Sequence, residues 1–310
     1  MSDDAGAIDE LLLSFHTPVD TGRWVEQFSR EERPVLLRVA RRWIESYYWG
    51  PDRVEDVLDA VLADVGAERV AVAPLQPSAS PQACLNKLFV TRVRAHGMSS
   101  PRVAADADVH VYLDDVVCTG RTLDRHLRRY LPRVRPGSSV LVFHLVEHAH
   151  DTKQRRAALA DLATDYGISL RTDHALRIEN RPETLGGLEV LTPAPSSRSA
   201  LHATYTARIA SSAFRAPDLF GDGPLFADAD ERDVVERALL RVGSWIAAQD
   251  TRVRPLGAGE GTSLGFGATS FTFHDVPATV PPALWWSSDD WFPLVAARVS
   301  GAAPAGRARP

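Results

Sequence analysis

A chain of 310 residues, 45% hydrophobic and 24% charged with a net charge of −5, is long enough to bury a large core and offers no global electrostatic case for nucleic-acid binding, though a local basic patch stays open. Its two cysteines, Cys84 and Cys118, stand in separate segments without metal spacing or a disulfide framework. The start, Met1-Ser2-Asp3-Asp4-Ala5, is acidic where a signal peptide would be basic, and no apolar run approaches the ~18 residues of a membrane span, so a cytoplasmic protein is expected.

Residues 1–22 read as a flexible, loosely attached lead-in, with structure beginning near Trp24. Ser29 and Glu32 have capping-box spacing ahead of Leu36, Leu37, Val39, Ala40, Trp43 and Ile44. Pro34 would remove an early hydrogen bond, so either the first turn is irregular or the helix starts at Arg33. Tyr47-Tyr48-Trp49 is broken by Gly50-Pro51, and with Trp43 it makes a cluster more often found in cores than under ligands. Val54, Val57, Leu58, Val61, Leu62 and Val65 then form the apolar face of a second helix. Residues 23–66 are thus an N-terminal helical segment.

Residues 69–74 read as the first strand of an α/β region, 75–81 as a loop, 83–93 as a helix and 97–108 as a linker. The next stretch is Val111-Tyr112-Leu113-Asp114-Asp115-Val116-Val117-Cys118-Thr119-Gly120-Arg121-Thr122-Leu123, a β-favouring run ending in paired carboxylates and a small-residue turn. Leu123, Leu127, Tyr130 and Leu131 follow at helical spacing. Pro136-Gly137 turns the chain into a near-continuous apolar run over 139–146, as expected of a strand covered on both faces. This strand–helix–strand order predicts a parallel sheet with its ligand site at the carboxyl ends of the strands. His148 and His150 alternate just beyond, but without a third well-spaced ligand a metal site is the weaker reading. A helix over 153–166, short strands at 168–171 and 174–178, a loop at 193–199 and a weakly periodic helix through Ile209 come next. After a surface connection at 214–229, Asp230-Glu231 opens a strong helix with Val234, Val235, Ala238, Leu239, Val242, Trp245 and Ile246 inward. Phe271 and Phe273 alternate in a glycine-preceded strand over 265–275. Pro281-Pro282 and Trp285-Trp286 then make a stiff segment, either a packed C-terminal lock or part of a binding wall.

A strand, an acidic pair, a small-residue loop and a helix N-terminus suit a phosphorylated ligand, because loop N–H groups, hydroxyls and the helix dipole can all face a phosphate. The carboxylates cannot hold that phosphate; they suit hydroxyl groups or a bridging Mg²⁺ on the same ligand. No nucleophile-elbow context supports a hydrolase.

The 111–123 stretch resembles the ribose-phosphate signature of type I phosphoribosyltransferases, its TGRT form being most like the uracil-type enzymes and pyrimidine-operon attenuators. The resemblance implies that Asp114 and Asp115 face the ribose 2- and 3-hydroxyls, directly and through Mg²⁺. Thr119, Gly120, Arg121, Thr122 and Leu123 would then wrap the 5-phosphate. It places the loop after the first strand near pyrophosphate, making Ser78, Ser80 and Lys87 candidates there. Cys118 stands where the 6-oxopurine branch has an Asp, so hypoxanthine or guanine salvage is not expected. His148, His150 and Asp275 are the weak candidates for an acceptor base. Over residues 24–298 the chain further resembles the phosphoribosyltransferase-like proteins of bacterial conflict or defence gene clusters, through Trp24 and Phe28, the acidic signature, and the Gly-rich strand before Pro-Trp text. Asparagines usual in that last segment are missing from 275–281.

The implied fold is α/β: a parallel-sheet phosphoribosyltransferase-like core over 67–215 with helices on both faces. A C-terminal helix and strand extension of the same globule would follow at 216–298, then a disordered tail at 299–310. The implied function is a Mg²⁺-dependent phosphoribosyltransferase-like protein acting on phosphoribosyl pyrophosphate or a nucleotide-like ligand. The alternative is a non-catalytic sensor of such a ligand within a bacterial defence system. Its partners would be the phosphorylated sugar or nucleotide; a homodimer or a protein from a neighbouring gene stays open, and no membrane is implied.

Overall fold

The computed structural model describes residues 2–66, 69–78, 80–98, 107–180, 188–206, 209–216, 219, 223–259 and 263–296. In chain order they form α1 (Ser2–Leu11), α2 (Thr21–Val25), α3 (Arg33–Tyr47), β1 (Tyr48–Trp49), α4 (Pro51–Val65), β2 (Val70–Val72), α5 (Pro81–Ala95) and β3 (Val109–Val117). There follow α6 (Arg121–Tyr130), β4 (Ser139–His148), α7 (Ala149–Asp165), β5 (Ser169–Ile178), α8 (Ala203–Thr206), α9 (Ala229–Gln249), β6 (Phe271–Thr272) and α10 (Pro282–Trp285). The chain divides into two compact units: Pro51–Ile178, and Met1–Gly50 together with Glu179–Pro310. These boundaries differ from the expected ones at 66/67 and 215/216. Helix α4 joins the sheet unit because Arg92 on α5 binds Asp59 and Glu55, and Arg171 on β5 binds Asp64.

In the Pro51–Ile178 unit the sheet runs β2-β3-β4-β5, parallel throughout and flanked by helices, as an α/β core requires. Tyr112, Val140 and Val142 point from one sheet face into a cluster with Leu123 and Leu127 of α6 and Leu159 and Ala163 of α7. Each such buried aliphatic side chain contributes roughly 2 kcal/mol. Alternation sends Val111, Leu113, Leu141 and Leu145 to the other face, and they are buried too, while α5 packs on β3 and α4. Both central strands are therefore covered twice, which is why they read as unbroken apolar runs. The two short strands expected at 168–171 and 174–178 are one ten-residue strand, β5. Its polar middle, Arg171-Thr172-Asp173, is tolerated because alternate residues of this outer strand stay exposed. Residues 99–106 of the expected linker lie outside the described residues.

The second unit is less regular. The flexible lead-in expected over 1–22 contains α1, whose Ile8 and Leu12, one turn apart, are buried along with Phe15. Asp9 Oδ1 accepts from the amide (3.0 Å) and hydroxyl (2.6 Å) of Thr21, tying α1 to α2. Of the two readings for the next helix, the start at Arg33 is observed: Pro34 sits in the first turn, where no intrahelical N–H is needed, and Glu32 accepts from the Ser29 amide at 3.0 Å. The strand expected over 265–275 shrinks to β6, which pairs in parallel with β1. Of the helix expected through Ile209 the described residues form the short α8, and the loop expected before it holds a 3₁₀ turn at Pro195–Ala200.

The Pro-Trp text packs as a lock. Trp24 and Trp291 both donate to the carbonyl of Ala283 (3.0 and 3.1 Å), Trp43 donates to Thr269, and Gln27 donates to Phe292 at 2.7 Å. Gly267, in the left-handed region at φ 68°, lies so close to Leu191 that a Cβ would collide with its carbonyl. Helix α9 is capped by Asp228, which accepts from Glu231 N at 2.8 Å, and it carries the buried Arg232 and Glu236. The tail expected to be disordered, 299–310, lies outside the described residues.

Candidate functional site

The acidic pair lies on β3, which runs between β2 and β4 in the interior of the sheet. Asp114 and Asp115 are only 9% and 8% exposed, so neither is a solvent-facing surface acid. They are within the strand rather than at its end: β3 continues to Val117, and its ladder with β4 pairs Asp114 with His144, Val116 with Val146 and Val117 with Glu147. Beyond it, Cys118, Thr119 and Gly120 turn the chain into α6. Gly120 takes φ 68°, a left-handed conformation that a side chain would strain. Helix α6 starts at once, and a first helical turn leaves N–H groups without intrahelical acceptors. Thr119 is half-buried, Arg121 and Thr122 are exposed, and the side chain of Leu123 is in the core, so only its amide is left to serve a ligand. The turn sits one short link from the acids.

The two carboxylates have different partners. Asp115 accepts from the Val116 amide at 2.8 Å. Asp114 Oδ2 accepts from Gln76 Nε2 at 2.6 Å and from the Tyr112 hydroxyl at 3.0 Å, while Oδ1 accepts from the Asp115 amide at 3.2 Å. The Tyr112 hydroxyl also lies 3.4 Å from His126 Nδ1 on α6. With its proton given to Asp114 the hydroxyl can only accept there, which selects the Nδ1–H form of His126. Burial raises the Asp114 carboxyl to about 6, outweighing the lowering effect of the donors from Tyr112, the Asp115 amide and Gln76. Tyr112 is likewise held well above its ordinary value by burial and then by the charge of Asp114. Next in the ladder, His144 is pushed down to about 3 by burial, then by Arg156 and His174.

The loop after β2 was expected to offer Ser78 and Ser80. Ser80 instead caps α5, accepting from Ala83 N at 3.2 Å, and Ser78 stands exposed in a turn. Lys87 is exposed on α5, where its carbonyl accepts from the Thr91 hydroxyl at 3.0 Å. What the loop does bring to Asp114 is Gln76. Gln82, fully buried on the first turn of α5, fastens that loop: its Oε1 accepts from the amides of Leu75 and Gln76, each at 2.8 Å, and its Nε2 donates to the carbonyl of Leu113 at 3.0 Å. No sequence motif announces either glutamine. Tyr112 had a signal, since residues two apart on a strand share a face and it precedes Asp114 by two.

The acceptor-base candidates fare differently. His148 ends β4 fully buried, pushed down to about 3 by that burial. The side chain of His150 lies outside the described residues. Asp275 belongs to the other unit, where it accepts from Val276 N at 2.9 Å. Among the described residues no three His, Cys, Asp or Glu are grouped to hold a metal, and no helix is long and apolar enough to cross a membrane.

Comparison with known proteins gives one extended match: the PRTase-CE family over residues 21–296. Among solved structures, the orotate phosphoribosyltransferase from Aeropyrum pernix is 15% identical. That likeness covers 41% of this chain and 71% of the other at a TM-score of 0.25, too low to argue from. A search of curated proteins returned no match.

Proposed function

Because the chain belongs to the PRTase-CE family, we propose that the 114–123 region of its sheet unit binds a ribose 5-phosphate group and transfers it from the 1-pyrophosphate to a nitrogen acceptor. Membership itself points to phosphoribosyltransferase-like activity in general; the ligand and the metal are the proposal. One observation carries it: a buried acidic pair on an inner strand stands beside a left-handed glycine turn that opens a helix. In this reading the amides of the 119–123 turn and the hydroxyls of Thr119 and Thr122 take the 5-phosphate. Asp114 and Asp115 take ribose hydroxyls. As the bond to pyrophosphate breaks, positive charge grows on the ribose ring, and the nearby carboxylates favour it electrostatically. The chain's main contribution is to hold the ring in place.

The acids also fit a Mg²⁺ ion that arrives with its ligand, since such an ion keeps several waters and needs only one or two carboxylates. When bound, it would neutralise charge on the leaving pyrophosphate. Asp114 and Asp115 are the residues that would hold it.

A second reading, binding without turnover, draws support from the acceptor side. His148, the candidate base on the same sheet, is fully buried and held neutral. Calorimetry with phosphoribosyl pyrophosphate and Mg²⁺, coupled to product analysis across a panel of nitrogen bases, separates the two. Pyrophosphate release supports transfer, and binding alone supports the sensor. The doubly substituted Asp114→Asn, Asp115→Asn protein should keep its fold and lose Mg²⁺-dependent binding; unchanged affinity would remove the assignment.

A further inference from the structure

Gln76 makes the shortest of the described contacts to Asp114, yet it comes from a loop, and nothing in the signature includes it. We propose that Gln76 is the positioning residue that sets Asp114 for a ribose hydroxyl, a role that rests on the ribose-phosphate reading above. Its carboxamide holds Oδ2 from the loop side at 2.6 Å, and the Tyr112 hydroxyl holds the same oxygen from the strand side at 3.0 Å. Two donors on one oxygen stop the carboxylate from turning about its Cβ–Cγ bond. Oδ1 takes the 3.2 Å amide of Asp115 and, with its second lone pair, is the oxygen suited to a ligand hydroxyl.

The donor's chemistry matters as much as its place. A lysine or arginine there would fix the carboxylate equally well but would neutralise its charge. A neutral amide orients Asp114 and leaves that charge for the ligand. Gln82 completes the device, since one fully buried side chain binds the amides of Leu75 and Gln76 and the carbonyl of Leu113, the residue before Asp114. Both ends of the Gln76–Asp114 pair are thereby tied to the first turn of α5. A merely structural tie would need no such aim: its loss would lower stability and leave ligand discrimination alone.

The test uses the full chain and calorimetry with ribose 5-phosphate and its 2-deoxy and 3-deoxy forms, on the unmodified protein, Gln76→Ala and Gln76→Glu. The unmodified protein should prefer the full sugar over at least one deoxy form by about tenfold, the scale of one hydrogen bond to a charged group. Gln76→Ala should reduce that preference to about twofold while keeping its affinity for the deoxy sugar, since the phosphate turn is untouched. Gln76→Glu keeps the shape but faces Asp114 with a second carboxylate, and should lose the preference more completely. If either variant keeps the full preference, the role is overturned. An equal loss for all three sugars with a lowered melting temperature would overturn it too, by marking a structural tie. Should the unmodified protein bind none of the three, the ribose-phosphate reading itself falls and this inference falls with it.

Discussion

The two units bury polar groups in opposite ways. In the second unit Glu236 is fully enclosed, but Arg232 and Arg215 pair with it, the Thr192 amide donates to it at 2.9 Å, and Arg232 also donates to the carbonyls of Leu188 and Val190. In that cluster the buried carboxylate faces two guanidinium groups, and Arg215 also pairs with Asp233. In the sheet unit the described hydrogen bonds to the buried Asp114 come from Gln76, Tyr112 and Asp115, none of them a cation, beside a turn whose exposed residues include Arg121 and Thr122. Its charge is oriented but not cancelled. Burial alone therefore does not single out a site; a buried charge left without a cation is what the proposed site adds.

The largest expected effect breaks this comparison from the architectural side. Replacing Glu236 with Ala removes the carboxylate shared by two buried guanidinium groups, leaving Arg232 with carbonyls alone among its described hydrogen bonds, and should cost about 3–5 kcal/mol in thermal or urea unfolding. Phosphate-ligand affinity measured on the surviving folded fraction should not change. A loss under 1 kcal/mol would mean the carboxylate does not pair the two guanidinium groups as described.

Acid comes next. His144 and His148 have folded-state values near 3, below the ordinary 6.5, so the unfolded chain binds protons first as pH falls. Their stabilisation is complete above pH 6.5 and is lost between there and 3, at up to about 1.4 kcal/mol per pH unit for each. Asp114 works the other way: raised to about 6 from 3.8, it favours the fold as pH drops through that window. Burial raises Glu236 as well, in the same sense as Asp114; the two histidines, each lowered to about 3, set the expectation of acid lability below pH 6. His144→Gln should flatten the pH dependence of the unfolding midpoint, and an unaltered slope would contradict the assignment.

How much of this was legible from sequence divides along the same line. The acidic pair and the turn could be read because the proposed ligand contacts are local in the chain, within residues 114–123. Helix α1 escaped because its stability comes from packing of Ile8 and Leu12 and from the Asp9–Thr21 tie, not from its own propensity. β5 was split in two because a strand at the side of a sheet can carry polar residues that would end a strand in the middle. Gln76 has no local signal, since its partner is 38 residues away and is brought to it by the register of β2 beside β3 and the Gln82 tie.

A smaller effect tests the site itself. Gly120→Val forces a branched side chain into a left-handed conformation and should weaken binding of a 5-phosphorylated ligand by about 2 kcal/mol. Normal affinity would mean the turn does not hold phosphate. The smallest effect is at Ser80: Ser80→Ala should cost about 1 kcal/mol of stability as a lost cap, with phosphate affinity preserved. A selective drop in pyrophosphate binding would instead return Ser80 to the ligand.

The single oxygen of Gln82 that receives the hydrogens of Leu75 and Gln76 has a further effect. A connection without ladder bonds ordinarily trades its amide hydrogens with water quickly, but these two should exchange as slowly as those of an interior strand. Leu75 and Gln76 are thus held in place beforehand, so that binding of the proposed sugar would not have to freeze them.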